Sequence, residues 1–140
     1  MKKLLQLDFL PRSSDLALLV IRLTFGLGML WLHGRVKLLD FEKMSSSFPD
    51  PLGVGHTTSL VLAILGEALF PALLALGLFT RLSALISGFT MGVAFFVMHH
   101  GALSGQNSGE MSYLYLAAFT ALLIVGGGRF SLDRKLGAAA

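Results

Sequence analysis

The sequence contains no cysteine. That removes disulfides, thiolate metal sites and thiol redox chemistry from this chain, and leaves its compartment undecided. Charge is scarce as well: 14% of the 140 residues are Asp, Glu, Lys or Arg, where a soluble domain carries about a quarter. No Gly-rich phosphate loop leads into a helix, and there is no nucleophile elbow and no HExxH or HxxxH spacing, so those phosphate-binding, hydrolase and zinc-protease chemistries are excluded. The balance is basic, with eleven Lys and Arg against eight Asp and Glu and a pI near 9.6. These cations are scattered around helix ends, without a basic face, an RNA-binding motif or a helix-turn-helix pattern, so no nucleic-acid partner is expected.

What the chain does have is apolar length. Hydrophobic residues make up 54% of it, and mean hydropathy is +0.75. Four stretches qualify as membrane spans, roughly 15–37, 57–79, 82–99 and 111–128. The expected fold is all-α, a transmembrane four-helix bundle forming one domain over 1–140, with the lipid bilayer as its first partner. A Ser-, Pro- and Gly-rich stretch from Asp40 to His56 reads as the first loop. Pro71, one turn after Glu67, is expected to kink the second span and free a carbonyl. The N-terminal segment is interrupted by Asp8, Pro11 and Arg12, which fits a cytoplasmic lead-in on the membrane surface better than a signal peptide. The tail from Ser131 onward is expected to be unstructured or frayed.

Orientation follows from the basic residues. Lys2, Lys3, Arg12, Arg81, Arg129, Arg134 and Lys135 collect on one side, and Arg35, Lys37 and Lys43 on the other. Seven against three places both termini in the cytoplasm of a plasma (inner) membrane protein. His33, His56, His99 and His100 then all fall on the outer side.

Two polar constellations emerge inside the spans. Counting helical rise from the inner basic residues puts Arg22 about 15 Å and Glu67 about 21 Å up, close enough for the two side chains to meet. This candidate catalytic pair has two readings: an ion pair that fixes helix register, or a buried acid that relays protons or binds a polar head. The same count puts His33, His99 and Glu110 about 27–31 Å up. With Lys37 and Tyr113 they form a candidate ligand-binding layer at the outer boundary. On the fourth span the face of Glu110, Leu114, Ala117 and Ala121 is expected to point inward, because small residues let helices approach closely.

Three readings of the outer layer stay open. It is a set of interface residues reaching water, or a pocket for a quinone-like head that needs donors and a base, or a His, His and Glu metal set. A bis-histidine haem between His33 and His99 is the least favoured. No metal site is assigned, because the three ligands come from separate helices.

These residues together resemble the DoxX family of small four-helix membrane proteins. The matching pieces are Arg22, Gly26, His33-Gly34 and Lys37, then Gly66-Glu67, the turn from Gly77 to Ala84, and Met91 and Ala94. The resemblance covers nearly the whole chain. It implies an accessory subunit or neighbour of a membrane redox system, such as a quinol oxidase, a thiosulfate-to-quinone oxidoreductase or an oxidative-stress assembly. It also implies quinone as the cofactor to look for and membrane redox proteins as partners. Distant relatives act as assembly factors, so a non-catalytic membrane chaperone is the alternative. A small-solute transporter, active as a homo-oligomer, is a further one. The chain has no electron carrier of its own, which puts a complete oxidase in doubt.

Overall fold

A computed structural model describes residues 12–137 together with Leu5 and Leu7. The lead-in expected over residues 1–11 otherwise lies outside the described residues. Among the described residues the regular structure is entirely helical. In chain order the helices are α1 (Ser14–Leu39), α2 (Phe41–Met44), α3 (His56–Leu76), α4 (Thr80–Met98), α5 (Glu110–Val125) and α6 (Leu132–Lys135). Helices α1, α3 and α4 are each long and apolar enough to cross a membrane, and α5 is a shorter apolar helix of 16 residues.

The helix ends follow from local chemistry. The Ser13 hydroxyl accepts the Leu16 amide at 3.2 Å and starts α1. Helix α3 stops at Leu76, short of the expected Phe79, because Gly77 turns left-handed at φ +72°. The Leu78 amide then donates back to Leu73 O at 2.9 Å and Gly77 N to Leu74 O at 3.0 Å, which closes the helix end. Three helices also contain a wide π-type turn, at Leu30–Gly34, Leu65–Leu69 and Val93–Met98. The second of these sits just ahead of Pro71, whose missing N–H leaves the Glu67 carbonyl without its usual donor.

Helix α1 lies against α3 nearly backbone to backbone. A Cβ at Gly26 would stand 2.7 Å from Pro71 O and 3.0 Å from the Ala75 Cβ. A Cβ at Gly34 would collide with Glu67 O and would lie 2.7 Å from Ala68. In lipid, where apolar burial gives little driving force, such close van der Waals packing is what holds helices together. The common core draws Met29 from α1, Leu74 from α3, Ala84 and Met91 from α4, and Tyr115, Phe119 and Leu122 from α5.

Helix α5 therefore faces inward through its large residues, which corrects the expected face. Glu110, Leu114, Ala117 and Ala121 are exposed, while Tyr115, Phe119 and Leu122 are buried. The gap between α1, α4 and α5 is wide enough to require rings, and Tyr115 fills it edge-on to Phe25 at 5.4 Å. Trp31, Phe89, Phe96 and Ile124 are 64% to 67% exposed, an outward apolar belt.

The expected frayed tail is also corrected. Ser131 is buried, its hydroxyl caps α6 by accepting Arg134 N at 3.2 Å, and Asp133 docks on the start of α4. The Asp133 carboxylate accepts Phe79 N at 2.7 Å and Thr80 N at 2.8 Å. A negative charge at a helix N-terminus satisfies free amides and complements the dipole. Arg81 does the converse at the end of α5, donating to Leu123 O at 2.9 Å and Ile124 O at 3.0 Å.

Burial would raise the Asp133 carboxyl, but Thr80, the Phe79 amide and the nearby Arg22 charge together outweigh it and hold it below its ordinary 3.8. Its contribution to stability is therefore complete above that value and is lost as pH falls through the lowered one. Asp133→Ala should cost about 1–2 kcal/mol, as for a lost helix cap. Denaturant unfolding of the detergent-solubilised protein at neutral pH measures this, and an unchanged midpoint would show the contact to be idle.

Candidate functional site

The two constellations expected from the sequence are rearranged. Arg22 does not meet Glu67. It is fully buried toward the opposite end of α3, where its Nη1 donates to Ala75 O at 3.3 Å and touches the space beside Gly77. Ala75 is in the last turn of α3, so the guanidinium is held by the negative end of a helix dipole. Its Nε and Nη2 make no hydrogen bond to the described protein atoms.

Glu67 pairs instead with Lys37, Nζ to Oε2 at 2.5 Å. Their side chains are only 16% and 11% exposed, so the pair is largely removed from solvent. The reason is register. Gly34 seats α1 on the carbonyl of Glu67, and Lys37, one turn further along α1, reaches the carboxylate.

This pair forms one wall of a cavity of about 730 Å³. Glu67 and Phe70 of α3 and Ile86, Phe89, Thr90 and Val93 of α4 line its sides, with His99 at the end of α4. The covering segment contributes Met44, Phe48, Pro49, Pro51 and Leu52. The lining is mainly apolar, with the charged pair, Lys43, His99 and a few hydroxyls as its polar features, the composition typical of small-molecule sites. Thr90 is packed against Gly66, which has no side chain to obstruct it. The Thr90 hydroxyl already donates to Ile86 O at 3.0 Å, so toward the cavity it can only accept.

Of the outer residues expected to converge, the cavity unites Lys37 and His99 and leaves out the others. His99 lines it while its Nδ1 lies 3.2 Å from both the backbone and side-chain oxygens of Asn107. His33 turns to the α5 side and stands edge-on to Tyr115, ring centroids 5.9 Å apart. The wide turn at Leu30–Gly34 rotates α1 there, so that Gly34 is buried and His33 half-buried. Glu110 is exposed in the first turn of α5, and Tyr113 is exposed beside Phe95. Both follow from the rotation of α5. Among the described residues no three His, Asp or Glu side chains gather as a metal set.

Sequence reasoning missed Thr90, Asn107 and the cover. A hydroxyl that meets Gly66 across a helix contact has no linear signature. The cover did have one, in the pattern Phe48-Pro49-Asp50-Pro51. The Asp50 carboxylate accepts the Ser59 hydroxyl at 2.7 Å and the amides of Val54 and Gly55 at 2.9 and 2.8 Å. Those bonds, the Ser59 hydroxyl first, hold its carboxyl below 3.8, so the clamp stays formed throughout the neutral and mildly acidic range.

The DoxX family model matches residues 17–100, which include α1 from its first turn, the cover, α3 and α4. An uncharacterized protein of Haemophilus influenzae is 33% identical over 112 residues, covering 76% of this chain and 81% of that protein. No solved structure matches the chain.

Removing one partner of the Lys37–Glu67 pair strands the other in a low-dielectric wall. Lys37→Met should therefore destabilise by roughly 3–5 kcal/mol, and Lys37→Met with Glu67→Leu should recover most of that loss. A double-mutant cycle in detergent measures the coupling; purely additive effects would mean that the two charges do not interact.

Proposed function

The chain belongs to the DoxX family, and from that premise we propose that it is an accessory subunit of a quinone-linked membrane redox system. In this reading α1, α3, α4 and α5 form a four-helix bundle across the inner membrane, with both termini in the cytoplasm. The distribution of basic residues supports that orientation.

The observation that carries the functional reading is a charged pair, Lys37 and Glu67, set into the wall of a largely apolar cavity. The donor set fits a quinone head. Lys37 has ammonium protons beyond the one given to Glu67 and would donate to a carbonyl oxygen. Glu67 and Thr90 have free lone pairs and would accept from a hydroxyl in the reduced form. His99, with Nδ1 engaged by Asn107, keeps its Nε2 for exchange of a proton with the head. The remaining lining is apolar, as a ring and tail require, and the volume lies within the usual range for small-molecule sites.

A quinone would supply two-electron, two-proton carrier chemistry. The chain's own residues would bind the head, exclude water and hold protons at Lys37, Glu67 and His99. Electrons would come from a membrane redox partner. Arg22, clamped to the end of α3, acts in this reading as a structural cation. His33, Glu110 and Tyr113 are left to partner contacts at the same end.

Mass spectrometry of the small molecules retained by the purified protein tests the proposal. Ubiquinone or menaquinone should copurify, and Lys37→Met, Glu67→Gln or His99→Ala should reduce its occupancy several-fold. Retention of no quinone, or equal retention in all three variants, would sink it. Reporter fusions after Gly137 and within residues 45–52 should report opposite sides of the membrane.

A further inference from the structure

We infer that the cavity is entered from within the bilayer, over the exposed rim formed by Leu62 of α3 and Phe89 of α4, and that it takes a lipid-phase amphiphile with an uncharged, hydrogen-bonding head. This rests on the ligand-site reading above and adds the route and the ligand class.

The first support is that the cover is fastened. The Thr57 hydroxyl donates to Ser45 O at 3.0 Å, and the His56 ring Nδ1 is 2.6 Å from Phe48 O. Asp50 accepts three bonds from Val54, Gly55 and Ser59. All these contacts tie residues 45–50 to the first turn of α3 or the residues just before it. Pro49 and Pro51 flank Asp50 and restrict its backbone further. Lifting the cover off α3 would require breaking these bonds together.

The second is the depth of the open rim. Leu62 and Phe89 line the cavity and are 45% and 65% exposed. Phe89 is the middle residue of Thr80–Met98, so in a membrane-spanning α4 that rim faces hydrocarbon. A molecule dissolved in the lipid meets it directly, whereas a water-borne solute does not. From the level of His99 down to Phe89 is about 15 Å of helix, long enough for a head group above and the start of a tail below.

The third is charge. The Lys37 ammonium is already neutralised by Glu67, and Lys43, at the cover, is engaged by Asp40 at 2.8 Å. An anionic head, such as a fatty-acid carboxylate, would have to displace Glu67 into an apolar wall. An uncharged head that accepts from Lys37 and donates to Glu67 or Thr90 leaves the pair intact.

The test uses the full chain in phosphatidylcholine vesicles and tritiated decylubiquinone as the probe. Leu62→Trp narrows the rim at an exposed position and should slow association at least ten-fold; Ile86→Phe is the second, deeper obstruction and should act in the same direction. Asp50→Asn loosens the cover and should leave association within two-fold. Oleate at equal concentration should fail to displace the probe. Faster association in Asp50→Asn, with both rim variants unaffected, would overturn the lateral route, and displacement by oleate would overturn the uncharged head. Lys37→Met separates the site from the route. If it abolishes binding while the rim variants do nothing, the site stands and the route fails; if it too has no effect, the ligand site itself is lost.

Discussion

The close approach of α1 to α3 is the constraint on which the other features depend. Gly26 rests on Pro71 and Ala75, and Gly34 rests on Glu67 and Ala68. These two glycines, on one face of α1, fix both the distance and the antiparallel register of the two helices. Every polar partnership along this seam depends on that register. Arg22, one turn before Gly26, comes level with the end of α3, and Lys37, one turn after Gly34, comes level with Glu67. A side chain at either glycine would push the helices apart and release both cations from their partners.

With that register set, the molecule divides its charges by task. At the end where α3 stops and α4 begins, charges serve helix termini. Arg22 and Arg81 answer the carbonyl ends of α3 and α5, and Asp133 answers the amide end of α4. Each meets a need that hydrocarbon would otherwise leave costly. The Lys37–Glu67 pair, near the middle of α3, meets no such need. It spans two helices beside a cavity, and a pair of that kind adds little net stability compared with an apolar replacement. What the pair does have is a place in the cavity wall, with Lys37 and Glu67 both among its lining residues.

The wide turns belong to the same picture. Those in α1 and α3 lie across from one another near Gly34 and Glu67, and the third ends α4 beside His99. Each inserts one residue into a helical face and rotates the residues beyond it. That rotation sends His33 toward Tyr115 and leaves Gly34 in the seam. Such turns often accompany functional sites, and here those of α3 and α4 supply Leu65, Glu67, Val93, Ala94 and Met98 to the cavity lining.

Hydropathy alone determined that the protein is helical and apolar enough for a membrane, and helical period by itself puts Arg22, Gly26 and Met29, all buried, on one face of α1. The short motifs around Gly66-Glu67 and from Gly77 to Ala84 were enough to point to the family. The partner of Glu67 was not readable, because levelling helices by their basic residues treats Arg81 as a depth marker, whereas it folds against the end of α5. Nor was the inward face of α5, since small residues and large rings are both valid packing solutions until the width of the gap is known. A linear pattern records which residues a helix offers to its neighbours. Only the packed structure decides which of them are taken, because register, helix rotation and the wide turns are settled by contacts between segments far apart in the chain.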